Sequence, residues 1–179
     1  MKAKELRQKY MFGGYGALSD NELKRLAAIE PNRFEDITAE YTRRKAERGE
    51  YTAPAKKIMC SKDSYDVLQP FYEGLEVEHF YAAYLNRANK VIGVRLIGIG
   101  GISGTVCDVR VLLKYGIELG ASGIILSHNH PSGNTQPSEA DRVLTRKMIE
   151  AGKLMEIQIM EHIIIAGNSY LSFADEGIM

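Results

Sequence analysis

The sequence predicts an α/β fold of the α+β kind, with a mixed β-sheet flanked by helices. Two observations support this: helical and strand-like segments alternate after Ser61, and two β-rich runs there are joined by a short polar turn. Earlier residues lack strand-like runs and indicate short helices. We therefore expect a helical N-terminal segment at residues 1–57 and a sheet-containing domain at residues 58–179.

The N-terminal segment contains two helical patterns. Residues 18–30 carry leucines at helical spacing, with Ser19 or Asp20 as the N-cap. Residues 37–57 are polar and highly charged, so they predict an exposed helix that leads into a linker.

The second part alternates helices with strands that are rich in apolar residues. The sequence contains neither an internal repeat nor a low-complexity tract. We predict first a helix at residues 61–74 that is disturbed at Pro70, and then an antiparallel hairpin of residues 76–86 and 89–99 with its turn at Asn86–Asn89. A helix that opens near Thr105 and a buried strand at residues 123–130 follow. The last predicted elements are a helix from Ser138 and one or two strands at residues 156–167.

The charge balance argues against a protein whose main function is to bind the phosphate backbone of a nucleic acid. The chain has 179 residues, with 23 basic and 23 acidic side chains and no net charge. The charge is uneven: residues 1–60 hold 13 Lys and Arg against 9 Asp and Glu, a balance of +4, which residues 61–179 offset. A solvated helical face is the first interpretation of this surplus, and a nucleic-acid contact is the alternative.

The lack of a recognisable targeting signal and the small number of cysteines exclude further classes of protein. The N-terminus has no apolar run after its charges, so it predicts neither a signal peptide nor a membrane span. Cys60 and Cys107 are too few for a disulfide framework or a four-thiolate zinc site. We expect a cytoplasmic protein without membrane contact.

Two of the four histidines, His128 and His130, follow a short apolar strand. Side chains two apart on a strand point to the same side, so both imidazoles can face one point. Ser138 then begins a helix, and Asp141 in its first turn can come back towards the histidines. Two imidazoles and one carboxylate make a three-ligand zinc site with a fourth position left for water, which is typical of catalytic zinc.

The helix start alone has an ordinary explanation, because a serine N-cap followed by an acid is common. The histidine pair favours the metal interpretation. His, His, Ser and Asp at these spacings arise by chance on the order of once in several thousand such chains.

The motif His-x-His, seven intervening residues that begin with proline, and Ser-x-x-Asp runs from His128 to Asp141. It resembles the metal motif of the JAB/MPN domain of JAMM metalloproteases. The wider string HNHPSGNTQPSEAD, with EHF upstream and EHIII downstream, resembles the bacterial RadC branch, and the resemblance covers about residues 61–175. The string GALSDNEL resembles part of the helical segment before this domain in RadC-like proteins.

This resemblance implies a helix-flanked sheet akin to the cytidine deaminases, about one Zn2+ per chain, and hydrolysis of a peptide or isopeptide substrate. It also implies a general base, Glu78, which takes a proton from the zinc-bound water and passes it to the leaving amine. Glu73 and Glu76 are the rivals for that role. Ser138 is expected to donate a hydrogen bond to the oxyanion while it also caps its helix.

The two remaining histidines are left out of the predicted site. His79 should point away from Glu78 if that segment is a strand. His162 follows Glu161 where RadC-like proteins usually carry Asp-His, and both a place near the site and an ordinary core role stay open.

Other enzyme classes fit the sequence less well. A zinc deaminase needs His-x-Glu and Pro-Cys-x-x-Cys, whereas Asn129 and His130 follow His128 and the two cysteines are 47 positions apart. The glycine-rich string near residues 98–104 has Ser103 where a dinucleotide-binding fingerprint needs glycine. Two alternatives stay open: a DNA-repair accessory protein with a weak DNA contact through residues 1–57, and a binding module with structural zinc.

Overall fold

The computed structural model describes residues 2–47, 56–100 and 107–179. Five of its strands form one mixed sheet in the order β2-β1-β3-β4-β5, with helices packed on it. This confirms the predicted fold class. The strands are β1 His79–Leu85, β2 Val91–Ile99, β3 Gly123–Asn129, β4 Gln158–Ala166 and β5 Ser169–Ser172, and the helices are α1 Ala3–Gly13, α2 Asp20–Ile29, α3 Phe34–Glu47, α4 Ser61–Leu68, α5 Val109–Glu118 and α6 Glu139–Leu154.

The predicted hairpin is confirmed as β1 and β2, which pair antiparallel. Its turn is held by Asn86, whose Oδ1 accepts hydrogen bonds from the backbone N–H of Ala88 at 2.9 Å and of Lys90 at 3.1 Å. β1 also pairs antiparallel with β3, so it lies inside the sheet, and all of its residues are buried. Strands β3 and β4 are parallel, and β5 pairs antiparallel with β4.

The sheet buries an apolar core on each face. One face, which we call the α4 face, packs against α4 and the turn that follows it, whereas the other, the α6 face, packs against α5 and α6. Alternate side chains of β1 and β3 therefore enter different cores. The α4 face contains Leu68, Phe71, Tyr81, Ala83, Ile125 and Ile163; the α6 face contains Phe80, Tyr84, Leu112, Leu126, Met148 and Ile159.

Helix α6 is the crossover between the two parallel strands. A parallel pair cannot be joined by a tight turn, so the chain must return along the sheet before β4 begins. The first turn of α6 consequently lies beside the carboxyl end of β3, where the predicted ligands are found.

Helix boundaries follow local chemistry. The helix predicted at residues 61–74 ends at Leu68 and continues as a 3-10 turn, Gln69–Phe71, because Pro70 lacks an N–H for the α-helical ladder. The helix predicted to open near Thr105 corresponds to α5, which begins at Val109 after an Asp108 N-cap. Thr105 itself lies outside the described residues.

Helices α1, α2 and α3 share a separate apolar cluster. α2 begins after Ser19, one of the two predicted N-caps, whose hydroxyl accepts a hydrogen bond from the backbone N–H of Glu22. The prediction of an exposed third helix is wrong: Ile37 and Ala39 are 2% exposed, because α3 packs against α2, the 3-10 turn and β2. The cluster consists of Leu6, Leu18, Leu23, Leu26 and Ile37.

None of the helices in the described ranges is both long enough and apolar enough to cross a bilayer.

Candidate metal centre

The three predicted ligands meet where β3 ends and α6 begins. His128 lies in β3 and is 2% exposed, His130 follows the strand, and Asp141 occupies the first turn of α6. The Phe80 ring from β1 stacks on the imidazole of His128, with ring centroids 5.9 Å apart and planes within 5°. The cluster is thus half-enclosed, with the side chains of His130 and Asp141 13% and 17% exposed.

The ligand atoms are spaced for one ion. The Nε2 atoms of His128 and His130 are 3.0 Å apart, and the first is 3.3 Å from Oδ1 of Asp141. All three ligand atoms lie within 4.8 Å of one another. In a tetrahedral zinc site with bonds of about 2.0–2.1 Å, two ligand atoms are about 3.3 Å apart. The group can therefore hold a metal ion, and its nitrogen and oxygen donors suit zinc.

The hydrogen bonding of His130 leaves its Nε2 atom available to a metal ion. The Nδ1 atom of His130 lies 2.7 Å from the carbonyl oxygen of Asn134, which can only accept a hydrogen bond. The proton of neutral His130 is therefore on Nδ1, and Nε2 keeps its lone pair. The backbone N–H of His130 donates to the carbonyl of Ile165 at 2.9 Å, which fixes the chain beyond β3.

Ser138 and Asp141 form the predicted helix start. The serine hydroxyl donates to Oδ2 of Asp141 at 2.6 Å, the serine backbone N–H donates to the same oxygen at 2.7 Å, and the hydroxyl accepts from the N–H of Asp141 at 3.2 Å. This capping box occupies Oδ2, so Oδ1 is the oxygen that faces His128.

The site extends to two residues outside the predicted set, His162 and Thr145. His162 on β4 is completely buried, and its Nε2 lies 2.8 Å from Nδ1 of His128. Its Nδ1 lies 2.6 Å from the hydroxyl oxygen of Thr145 on α6. The sequence signal for Thr145 is its spacing of four residues from Asp141, which puts both on one helix face.

Burial keeps these inner imidazoles neutral. Desolvation lowers the pKa of His128 to about 4, with the carboxylate of Asp141 opposing the effect and His130 adding to it. Desolvation also lowers the pKa of His162 well below its ordinary value. Only the neutral form of an imidazole can ligate a metal, so His128 is held in the competent state at neutral pH.

The predicted base Glu78 directly precedes β1 and is partly exposed. Its carbonyl accepts a hydrogen bond from the N–H of Gly100 at 2.8 Å, which keeps the residue in line with the hairpin. Asn129, between the two histidines, contacts the backbone on both sides of it: Oδ1 accepts from the N–H of His79 at 2.7 Å, and Nδ2 donates to the carbonyl of Val77 at 3.2 Å.

The two alternative bases, Glu73 and Glu76, and the remaining histidine, His79, lie outside the ligand cluster. Glu76 is exposed, and Glu73 lines a cavity of about 260 Å3 that also reaches His130 between the 3-10 turn and the ends of β3 and β4. His79 turns away from the cluster, and its ring stacks on Tyr81 of the α4 face with centroids 6.3 Å apart.

Many basic side chains of the N-terminal segment are engaged by acids. The two arginines of α3 are half-buried, with their side chains 13% and 16% exposed, and also bind backbone carbonyls. The pairs are Arg7 with Glu30, Lys9 with Glu22, and Arg43 and Arg44 with Glu40.

Comparison with known proteins agrees with this geometry. Residues 58–178 match the family model of the RadC-like JAB domain. The chain belongs to the RadC-like JAB family. The three candidate ligands, together with Asn129, Thr145 and His162, fall within the matched part of this RadC-like JAB chain.

Relatives of this RadC-like JAB chain are UPF0758 proteins. It is 40% identical over 161 residues to one from Flavobacterium johnsoniae, covering 90% of this chain and 70% of the relative. A relative from Salinibacter ruber is 33% identical over 172 residues, with 92% and 74% covered. One from Methanococcoides burtonii is 36% identical over 124 residues, and there the match spans 69% of this chain and about half, 54%, of the relative.

Proposed function

We propose that this chain is a zinc-dependent hydrolase of the JAMM type that acts on peptide or isopeptide bonds. The convergence of His128, His130 and Asp141 supports the proposal most strongly, because their ligand atoms lie within 4.8 Å of one another in a RadC-like JAB domain. Zinc in such a site acts as a Lewis acid and activates water near neutral pH. The chain's own residues then have to orient the ligands, move the proton and receive the substrate.

Glu78 is the proposed general base. Its carboxylate would accept the proton of the attacking water and return it to the leaving amine. Alternation along the extended chain supports this role, because Glu78 is two residues before Phe80, whose ring stacks on His128. The two hydrogen bonds between Asn129 and the backbone of Val77 and His79 would limit the movement of the segment that carries this carboxylate.

Ser138 is the proposed donor to the oxyanion of the tetrahedral intermediate. Its hydroxyl proton is shared with Oδ2 of Asp141 at 2.6 Å, so the role requires that proton to turn towards the substrate oxygen. The cavity of about 260 Å3 beside His130 is a suitable place for a substrate side chain next to the scissile bond.

The test is cleavage of a peptide library by the zinc-loaded protein, compared with Glu78→Gln. We expect Glu78→Gln to retain zinc and to lose activity by about 10²- to 10⁴-fold, the usual contribution of a general base. Glu76→Gln is the matched control, because Glu76 is exposed and close by, and it should stay near the wild-type rate. Wild-type cleavage by Glu78→Gln would contradict the assigned base, and a zinc-loaded wild type that cleaves nothing would contradict the hydrolase.

A weak DNA contact through residues 1–57 is the second candidate, supported by the +4 balance of residues 1–60. The acid pairing in the N-terminal helices works against it, since paired cations attract phosphates less. Salt-sensitive binding to single-stranded or branched DNA that is lost on deleting residues 1–57 would support this role. Absence of binding at low salt would exclude it.

A further inference from the structure

We propose that Thr145 and His162 are positioning residues that hold His128 in the Nδ1–H tautomer, so that its Nε2 presents a lone pair to the metal. This inference rests on the proposed metal site. The residues Asp141, Thr145, His162 and His128 form a closed ring of contacts that joins α6, β4 and β3, in which Asp141 contacts Thr145 through its backbone carbonyl and His128 through Oδ1.

The directions of the hydrogen bonds that link Thr145, His162 and His128 follow from one fixed acceptor. The hydroxyl oxygen of Thr145 lies 2.6 Å from the backbone carbonyl oxygen of Asp141, and a carbonyl cannot donate, so the hydroxyl donates to it. With its proton committed, the Thr145 oxygen can only accept from Nδ1 of His162, 2.6 Å away. His162 therefore carries its proton on Nδ1.

The position of the proton on His162 determines the position of the proton on the candidate ligand His128. Neutral His162 with a proton on Nδ1 has a bare Nε2, which accepts a hydrogen bond from Nδ1 of His128 at 2.8 Å. His128 in turn has its proton on Nδ1 and a bare Nε2, the atom that lies 3.3 Å from Oδ1 of Asp141. The nitrogen of a histidine that is available to a metal is set by the hydrogen bond of the other nitrogen.

The fold aligns this chain of donors. Asp141 and Thr145 are four residues apart on α6, so both face the sheet. The register of β3 and β4 shifts by one residue near Met160, which pairs Leu126 with His162 and brings that ring onto the α6 face. The rings of Phe80 and Phe173 then pack on His162, with centroids 5.5 and 4.6 Å away, so the imidazole has little freedom to turn.

The proposal is tested by the tautomers themselves, measured without metal by long-range 1H–15N correlation spectroscopy on histidine-labelled protein. In the wild type, His128 and His162 should both carry the proton on Nδ1. Thr145→Val removes the hydroxyl that accepts the hydrogen bond from Nδ1 of His162. The tautomer of His162 is then no longer fixed, so His128 should populate both tautomers. The zinc affinity should fall by about 10- to 100-fold, the usual cost of losing such a partner.

Two further variants separate positioning from general packing. Thr145→Ser keeps a hydroxyl and should restore both the tautomer and the affinity. Thr42→Val, on α3, should change neither. An Nε2–H tautomer of His128 in the wild type, or wild-type tautomer and affinity in Thr145→Val, would overturn the proposal. If the wild type shows the expected tautomers but binds no zinc, the proposed function fails while the hydrogen-bond assignment stands.

Discussion

Asp141 uses one carboxylate oxygen mainly for the helix cap and turns the other towards His128. Oδ2 receives the hydroxyl and the backbone N–H of Ser138, while Oδ1 faces His128. One side chain can therefore serve both the helix cap and a metal ion, so the two interpretations of the Ser-x-x-Asp motif are compatible. Sequence reasoning could identify these two residues because each role depends on short-range spacing.

Ser138→Ala tests this division. Loss of an N-cap costs about 1 kcal/mol of stability, and Asp141 also loses a hydrogen bond that orients it, so zinc affinity should fall by about tenfold. Ser19→Ala is the matched control, because Ser19 caps α2 in an equivalent capping box with Glu22 far from the cluster. It should cost similar stability and leave zinc affinity unchanged. Equal zinc affinities of the two variants, measured by chelator competition, would contradict this account.

Asn129 acts on the base through the backbone. Asn129→Ala removes both hydrogen bonds beside Glu78 and leaves the buried N–H of His79 without that acceptor, while the three ligands remain. We expect zinc content near the wild-type level and kcat reduced by at least about tenfold, because small displacements of catalytic groups cost that much or more. Asn86→Ala, which removes two similar backbone contacts in the β1–β2 turn, is the control. A wild-type kcat in Asn129→Ala would exclude this positioning role.

At the level of elements, the hairpin, the buried strand β3 and helix α6 could be predicted because each has a regular hydrophobic period. The face of the sheet on which His162 lies could not be predicted. Strict alternation from Ile159, which is on the α6 face, would send His162 to the α4 face, and the register shift near Met160 reverses this. The start of α5 at Val109 could be predicted only to within a few residues, because the cap at Asp108 decides the boundary more than hydrophobicity does.

The buried histidines between β3, β4 and α6 predict how stability depends on pH. His128 has a pKa of about 4 in the folded protein against 6.5 for a free imidazole, so between these values only the unfolded chain binds the proton. The contribution of His128 to stability should therefore be fully present well above pH 6.5 and be lost as the pH drops through 6.5 towards 4. His162 contributes in the same direction, while Asp141 and His130 also face His128.

This dependence is measured by urea unfolding of the metal-free protein at pH 7.5 and pH 5.0. The contribution of His128 to the loss is about 2 kcal/mol. His128→Gln removes the titrating group and should lose less stability between the two pH values. A wild type that is as stable at pH 5.0 as at pH 7.5, or a variant with the same loss, would contradict the expectation.

For the whole molecule, the division into residues 1–57 and 58–179 stays a prediction, and the structure suggests how to test it. Lys57 pairs with Lys90 in an isolated bridge, and the carbonyl of Lys56 accepts a hydrogen bond from Val91 at 3.1 Å. A fragment of residues 56–179 should therefore fold and be more stable than one of residues 58–179, by about 1 kcal/mol for the backbone bond.

Both fragments should be less stable than the full chain, because α3 packs against β2 and the 3-10 turn. Urea midpoints give the comparison. Failure of the 56–179 fragment to fold would show that the N-terminal helices are an integral part of the domain, and a 58–179 fragment as stable as the 56–179 fragment would remove any role for the Lys56 bond.

The measurement closest to the central claim is the zinc content of protein purified in metal-free buffers and reloaded with one equivalent of zinc. The account predicts about one tightly held zinc per chain, lost in His128→Ala and retained in His79→Ala, whose histidine lies on the opposite face of the sheet. A wild type that holds no zinc, or a His128→Ala variant with unchanged zinc content, would contradict it.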